Sequence, residues 1–202
     1  RRRLPIFSLS QAVGLLSAQK ETVAVCGVGG KTTTTAMLAW ILEFAGHKPS
    51  FAVGTGNLGN FGVPAKWTTG SKFVVEADEY VADPTSDLTP RFMYLEPKHI
   101  ICTSLKYDHP DIYADESATM SAFASLITSI KPGGTWICDP QDKITTQILS
   151  LSGVSRKDAS LASTSDSGRK HVIGFAKEPE STYSPGLNSL QTGLKIKVSR
   201  LR

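Results

Sequence analysis

The sequence predicts an α/β protein: a mostly parallel sheet flanked by helices and holding a phosphate-binding loop, with a small β-rich addition at its C-terminal end. Three observations predict it. Thr22-Val23-Ala24-Val25-Cys26 is a β-branched, apolar run that suits a buried parallel strand, and a glycine loop with a helix-forming stretch follows it directly. Short apolar runs then alternate with helical stretches as far as about residue 150. No apolar run approaches the roughly 18–20 residues of a membrane span.

Arg1 to Pro5 reads as a linker, and Ser8 to Ala18 has the spacing of a short amphipathic helix with Ser8 or Ser10 as its N-cap. Residues 1–20 are therefore expected to be a linker and helix leading from an upstream domain. The core, residues 21–150, opens on the Thr22 strand. Gly27-Val28-Gly29-Gly30 then removes the side chains that would keep a backbone from wrapping an anion. Good helix formers from Thr32 to Ala45 predict a helix starting at Lys31 and capped by Gly46, and its free N–H groups and positive dipole end point back at the loop. Lys31 adds a point charge for the β- and γ-phosphates, and the Thr32 hydroxyl is placed to ligate Mg²⁺. Gly27, Val28, Gly29, Gly30, Lys31, Thr32 and Thr33 are the nucleotide-binding candidates. The general pattern of such loops has glycine where Val25 stands, so this loop is a shortened variant.

Ser50 to Val53 predicts a second strand and Gly54 to Gly62 a loop. Gly54-Thr55-Gly56-Asn57-Leu58-Gly59 matches a dinucleotide fingerprint, but Asn60-Phe61-Gly62-Val63-Pro64 does not open the helix that such a site needs. Lys72 to Ala77 is a third strand ending in Glu76-Ala77-Asp78-Glu79. A carboxylate there can hold Mg²⁺ against nucleotide phosphates, and a solvated acidic turn has the same spacing. His99 to Ser104 is a fourth strand, after the connection Pro90 to Glu96, and Tyr107-Asp108-His109-Pro110-Asp111 is the polar turn behind it. Lone histidines are mostly structural, yet three successive strand ends carry Lys31 and Thr32, then Glu76, then His109, and one metal-nucleotide site could collect them all. Ser117 to Ile130 reads as a helix with Ser117 as N-cap, stopped by Pro132-Gly133-Gly134. Thr135 to Cys138 is a fifth strand and Asp142 to Ser150 a further helix. Ser150 to Lys170 reads as a mobile connection. His171 to Leu201 reads as a small antiparallel addition within residues 151–202.

The chain has 202 residues and a net charge of +4, part of which comes from Arg1, Arg2, Arg3, Arg200 and Arg202 at its ends. No basic and aromatic pattern recurs between them, which argues against a nucleic-acid partner. Cys26, Cys102 and Cys138 each sit in or at the end of an apolar run, as buried reduced thiols of a cytoplasmic protein do. No membrane partner is expected.

These residues resemble the Mur ligases of peptidoglycan synthesis, specifically their central ATPase domain. Gly27 to Thr35 resembles the family's phosphate loop, Glu76-Ala77-Asp78-Glu79-Tyr80 its acidic motif, and Asp108-His109-Pro110-Asp111 its Asp-His motif, in the same order and spacing over about residues 4–142. Glu-Ala-Asp-Glu is typical of the branch that couples L-alanine, or a murein tripeptide, to UDP-N-acetylmuramate. Other branches carry a carbamylated lysine in the helix after the Asp-His motif, and Ser117 to Ile130 has no lysine. The resemblance implies ATP and Mg²⁺ as cofactors. It also implies Lys31, Glu76 and His109 in the catalytic machinery, with Thr32 and Glu76 on one Mg²⁺ and Glu76 with His109 on a second. Three positions depart from the family: Val28 replaces a threonine, Gly29 stands where this branch commonly has histidine, and Ser104 stands where asparagine usually precedes the Asp-His motif. The resemblance further implies a UDP-binding domain before residue 1 and an amine-binding domain after residue 202, so the chain alone is expected to bind nucleotide without completing ligation. A non-catalytic nucleotide-binding module is the competing class; a GTPase lacks support, because no Asn-Lys-x-Asp guanine motif occurs.

Overall fold

The computed structural model describes residues 5–139, 142–152 and 171–174. The first element is helix α1 (Leu9–Ser17), and Ser8 caps it reciprocally: its hydroxyl accepts from Gln11 N while its own N–H donates to the Gln11 side chain. Then come β1 (Glu21–Cys26), α2 (Lys31–Phe44), β2 (Ser50–Ala52), β3 (Ala65–Lys66), β4 (Lys72–Glu76), β5 (Val81–Asp83), β6 (Asp87–Pro90), β7 (His99–Cys102), α3 (Glu116–Thr128), β8 (Thr135–Cys138), α4 (Lys143–Ser152) and β9 (His171–Gly174). The main sheet runs β3-β2-β4-β1-β7-β8-β9, with every pairing parallel except the antiparallel edge β2–β3. β5 and β6 form a separate hairpin.

Period-two alternation splits the sheet's side chains between two layers. Phe73 and Val75 of β4 join the larger core, packed with Phe123, Leu126 and Ile127 of α3, Ile144 and Ile148 of α4, and Phe92. Val74 faces the other way, onto Ala39 of α2, Phe51 and Val53. Phe92 comes from a single 3-10 turn, Arg91–Tyr94, and its ring lies 5.4 Å from that of Phe123. Cys26, Cys102 and Cys138 are buried free thiols. A hydrogen bond with Cys26, reinforced by burial, pushes the Cys102 thiol well above its usual range.

β1 is hydrogen-bonded on both edges. Val25 is in register with Glu76 of β4, and Cys26 with Cys102 of β7, so the carboxyl ends of the three strands are level. The chain leaves β1 at Gly27 with φ 121°, where an added Cβ would lie 2.5 Å from both Ser104 O and Thr103 Oγ1. Both the backbone angle and the space there require glycine. At the far end of α2, Gly46 N and His47 N donate to Glu43 O and Leu42 O, a glycine-terminated close with Gly46 at φ 79°.

Several elements differ from the sequence expectation. The N-cap of α3 is Asp115, not Ser117: Asp115 Oδ1 accepts from Ala118 N at 2.8 Å, and a carboxylate adds favourable charge at the helix's positive end. The stretch before the fourth strand holds β5, β6 and the 3-10 turn, elements too short for periodicity to reveal. His171–Gly174 was expected in an antiparallel addition, but it pairs in parallel with β8 and extends the main sheet. The helix α4 between them provides the crossover that parallel neighbours require. The expected mobile connection falls almost wholly on residues outside those described, as does the tail beyond residue 174.

Phe123→Ala is expected to destabilise the fold by about 3–5 kcal/mol, read from the urea midpoint at constant slope. Gly27→Ala is expected to cost about 1–3 kcal/mol from backbone strain alone. A midpoint for Gly27→Ala equal to wild type would show that the loop can leave β1 another way.

Candidate functional site

The loop from Gly27 to Gly30 is braced from β7. Val28 N donates to Ser104 O at 3.0 Å, Thr103 N to Cys26 O at 3.0 Å, and Thr103 Oγ1 to Gly29 O at 2.5 Å. Ser104 holds Val28 through its main-chain carbonyl, so this brace does not depend on the side chain at 104. The role of Thr103 was not read from the sequence, and only its place one residue past an apolar strand marks it. Gly30, at φ 81°, is the N-cap of α2 and contributes no side-chain cap bond. Gly29, Gly30 and Thr33 are exposed, with Val28 half-buried. The loop and the start of α2 thus present backbone N–H groups and a positive dipole end at an open surface.

Two groups of side chains gather there. In the first, Thr32 Oγ1 donates to Glu76 Oε2 at 3.1 Å, and Glu76 Oε1 accepts from Gly54 N at 2.6 Å. Glu76 thereby ties the start of α2 to the loop after β2. In the second, Lys31 Nζ donates to both oxygens of Glu79, at 2.8 and 2.6 Å. Glu79 is 2% exposed and Lys31 16%. Tyr113 Oη anchors the acid by donating to Glu79 O at 2.7 Å, and burial, then the nearby Glu79 and Asp78 charges, push the Tyr113 hydroxyl up to about 12.

His109 reaches the second group. Its backbone is left-handed, at φ 57°, and its N–H donates to Asp108 Oδ1 at 2.8 Å. Its Nε2 lies 3.5 Å from Glu79 Oε1 and 3.9 Å from Asp108 Oδ2. Tyr80 stands edge-on to the imidazole, with ring centroids 5.3 Å apart, and its hydroxyl donates to Asp111 Oδ2 at 3.2 Å. Arg91 lies over the same Tyr80 ring, 5.7 Å from its centroid, while it pairs with Asp78 at 2.8 Å. The predicted residues therefore converge on one sheet edge but divide: Glu76 partners Thr32, and it is Glu79 that stands between Lys31 and His109. The sequence places Glu79 in the acidic motif but assigns it no role of its own. The available signal was the loop lysine's need for a counter-charge near a strand end.

Both groups suit a divalent cation. Thr32 Oγ1 and Glu76 Oε2, 3.1 Å apart, nearly span one edge of an octahedron with Mg–O bonds of about 2.0–2.1 Å. Donor atoms of Glu79, Asp108 and His109 all lie within 4.8 Å of one another, offering carboxylate oxygens and one imidazole nitrogen. The dinucleotide-like segment from Gly54 forms a loop and a 3-10 turn, Gly59–Phe61, rather than a helix N-terminus.

Comparison with known proteins gives a consistent answer. Residues 25–183 match the model of the Mur ligase middle domain. A Haemophilus influenzae protein named UDP-N-acetylmuramate–L-alanyl-γ-D-glutamyl-meso-2,6-diaminoheptandioate ligase is 36% identical over 136 residues, which cover 67% of this chain and 30% of that protein. The UDP-N-acetylmuramate–L-alanine ligase of Renibacterium salmoninarum is 40% identical over 139 residues, 69% of this chain and 28% of its own length. The solved structure of the corresponding tripeptide ligase from Neisseria meningitides superposes with a TM-score of 0.67 at 32% identity, over 73% of this chain and 48% of that one. The chain thus spans less than a third of the length of the two curated relatives. With its phosphate loop, parallel sheet and matched residues 25–183, the chain belongs to the Mur ligase family, in the region of that family's middle domain.

Proposed function

We propose that this chain is the ATP-binding domain, with its core in residues 21–150, of a peptidoglycan-precursor amide ligase that activates the carboxylate of UDP-N-acetylmuramate for coupling to L-alanine. The observation that carries the reading is the convergence of a braced phosphate loop, Lys31, Thr32, Glu76 and His109 at the level ends of β1, β4 and β7. The murein tripeptide is the second candidate amine, favoured by the tripeptide ligases among the relatives. Upstream and downstream domains complete the substrate sites in this reading, and the cytoplasm supplies ATP and the nucleotide-linked sugar.

In the proposed reaction a carboxylate oxygen bonds to the γ-phosphorus of ATP as the β–γ bridging bond breaks and ADP leaves. The amine then attacks the acyl carbon and expels phosphate. No side chain need act as nucleophile; the protein positions charges and reactants. The N–H groups of Gly29 to Thr33 cradle the phosphates, Gly27 and Val28 hold the loop in place through the brace, and Lys31 holds the transferring phosphoryl group. Thr32 and Glu76 would hold one cation; at the second, where the resemblance implies Glu76 with His109, the geometry instead favours Glu79 and Asp108 beside the imidazole. Mg²⁺ held at these positions would supply neutralisation of the polyphosphate charge.

Calorimetric titration of the chain with Mg²⁺ and a non-hydrolysable ATP analogue is expected to show saturable binding. Lys31→Ala is expected to weaken it at least about tenfold, the equivalent of 1.4 kcal/mol, and Glu76→Ala and His109→Ala each to weaken it as well. Affinity unchanged by Lys31→Ala would refute the phosphate-site assignment.

A further inference from the structure

Glu79 is the one buried carboxylate among the described residues, and both of its oxygens are committed to Lys31 Nζ. The cation that the loop offers to a phosphate is therefore already neutralised from within. Glu79 cannot readily follow the lysine outward, because Tyr113 Oη holds its main-chain carbonyl at 2.7 Å. A carboxylate buried to this degree is costly without a counter-charge.

We propose that Glu79 is a positioning residue and the internal counter-ion of Lys31: it holds the ammonium while no nucleotide is bound, competes with nucleotide phosphate for it, and ties their exchange to the arrival of a divalent cation beside Asp108 and His109. This rests on the nucleotide-binding reading above. When a polyphosphate draws Lys31 Nζ away, Glu79 is left facing His109 Nε2 at 3.5 Å. A cation entering among Glu79, Asp108 and His109 restores the lost positive charge. Metal-free nucleotide has to break the Lys31–Glu79 pair without that compensation, so the preference for metal-bound nucleotide originates at Glu79. Linkage makes the relation reciprocal: Lys31 and the cation compete for Glu79 even when no nucleotide is present.

The test has two arms on the full 202-residue chain. In the first, the non-hydrolysable ATP analogue is titrated in EDTA and in excess Mg²⁺. Glu79→Gln is expected to tighten metal-free binding at least about fivefold and to reduce the gain from Mg²⁺ by a similar factor. Asp111→Asn, which removes a nearby exposed charge that does not touch Lys31, is expected to leave both affinities within about twofold. Metal-free affinity unchanged or weakened in Glu79→Gln, or an equal effect from Asp111→Asn, overturns the proposal. In the second arm, Mn²⁺ binding to the nucleotide-free chain is followed by electron paramagnetic resonance. Lys31→Met frees Glu79 and is expected to tighten Mn²⁺ at least about fivefold, whereas unchanged Mn²⁺ affinity overturns the proposal. The two variants alter different residues, so one folding failure does not remove both arms. Failure of the nucleotide reading itself would show separately, as wild-type chain without saturable analogue binding, and the Mn²⁺ arm decides the counter-ion role even then.

Discussion

The site depends on β1 being paired on both edges. A strand flanked in parallel by β4 and β7 has its carboxyl end locked level with theirs, and the registers Val25–Glu76 and Cys26–Cys102 fix that alignment to the residue. A slip of one residue would turn Val74 and its neighbours Phe73 and Val75 to the wrong layers, so two hydrophobic cores enforce the register. The energy that positions Lys31, Glu76 and the Asp-His turn is thus spent in the packing beneath them, well away from any chemistry. Loops set on such a base can be polar, exposed and rich in glycine without losing their place.

Charge crowding is the second constraint. Glu76, Asp78, Glu79, Asp108 and Asp111 meet Lys31, Arg91 and His109 in a small volume, and each acid has a local answer. Glu76 takes a hydroxyl and a backbone N–H, Asp78 takes Arg91, Glu79 takes Lys31, Asp108 takes the His109 backbone N–H, and Asp111 takes the Tyr80 hydroxyl. These answers differ in durability. The Arg91–Asp78 pair is substantially exposed and screened, whereas the Lys31–Glu79 pair is mostly buried, the regime in which removing one partner costs about 3–5 kcal/mol. Tyr80 connects the two regimes, meeting Arg91 and the His109 ring.

Much of the fold was legible in the sequence, because parallel strands buried on both faces are written as short apolar runs and their crossovers as helical ones. β1, α2, β4, β7 and β8 all lie within a residue or two of their expected bounds. What escaped was held by interactions without a period. Asp115 outcompetes Ser117 as a cap through charge, β5 and β6 are only 3 and 4 residues long, and the partner of His171–Gly174 is chosen by a crossover rather than by its own composition. At the site, the residue types were legible but not their pairings. Spacing put Glu76 and Glu79 in one motif, yet only the three-dimensional path sends the first to Thr32 and the second to Lys31.

The brace between Ser104 and Val28 also bears on how such proteins are found. A contact made by a main-chain carbonyl places no demand on the codon at that position, so position 104 can drift while the loop stays where it is. Gly27, hemmed in by Thr103 and Ser104, cannot drift in this way. A motif scan keyed to the side chain that usually precedes the Asp-His turn would pass over this chain, whereas one keyed to the glycine that leaves β1 would retain it.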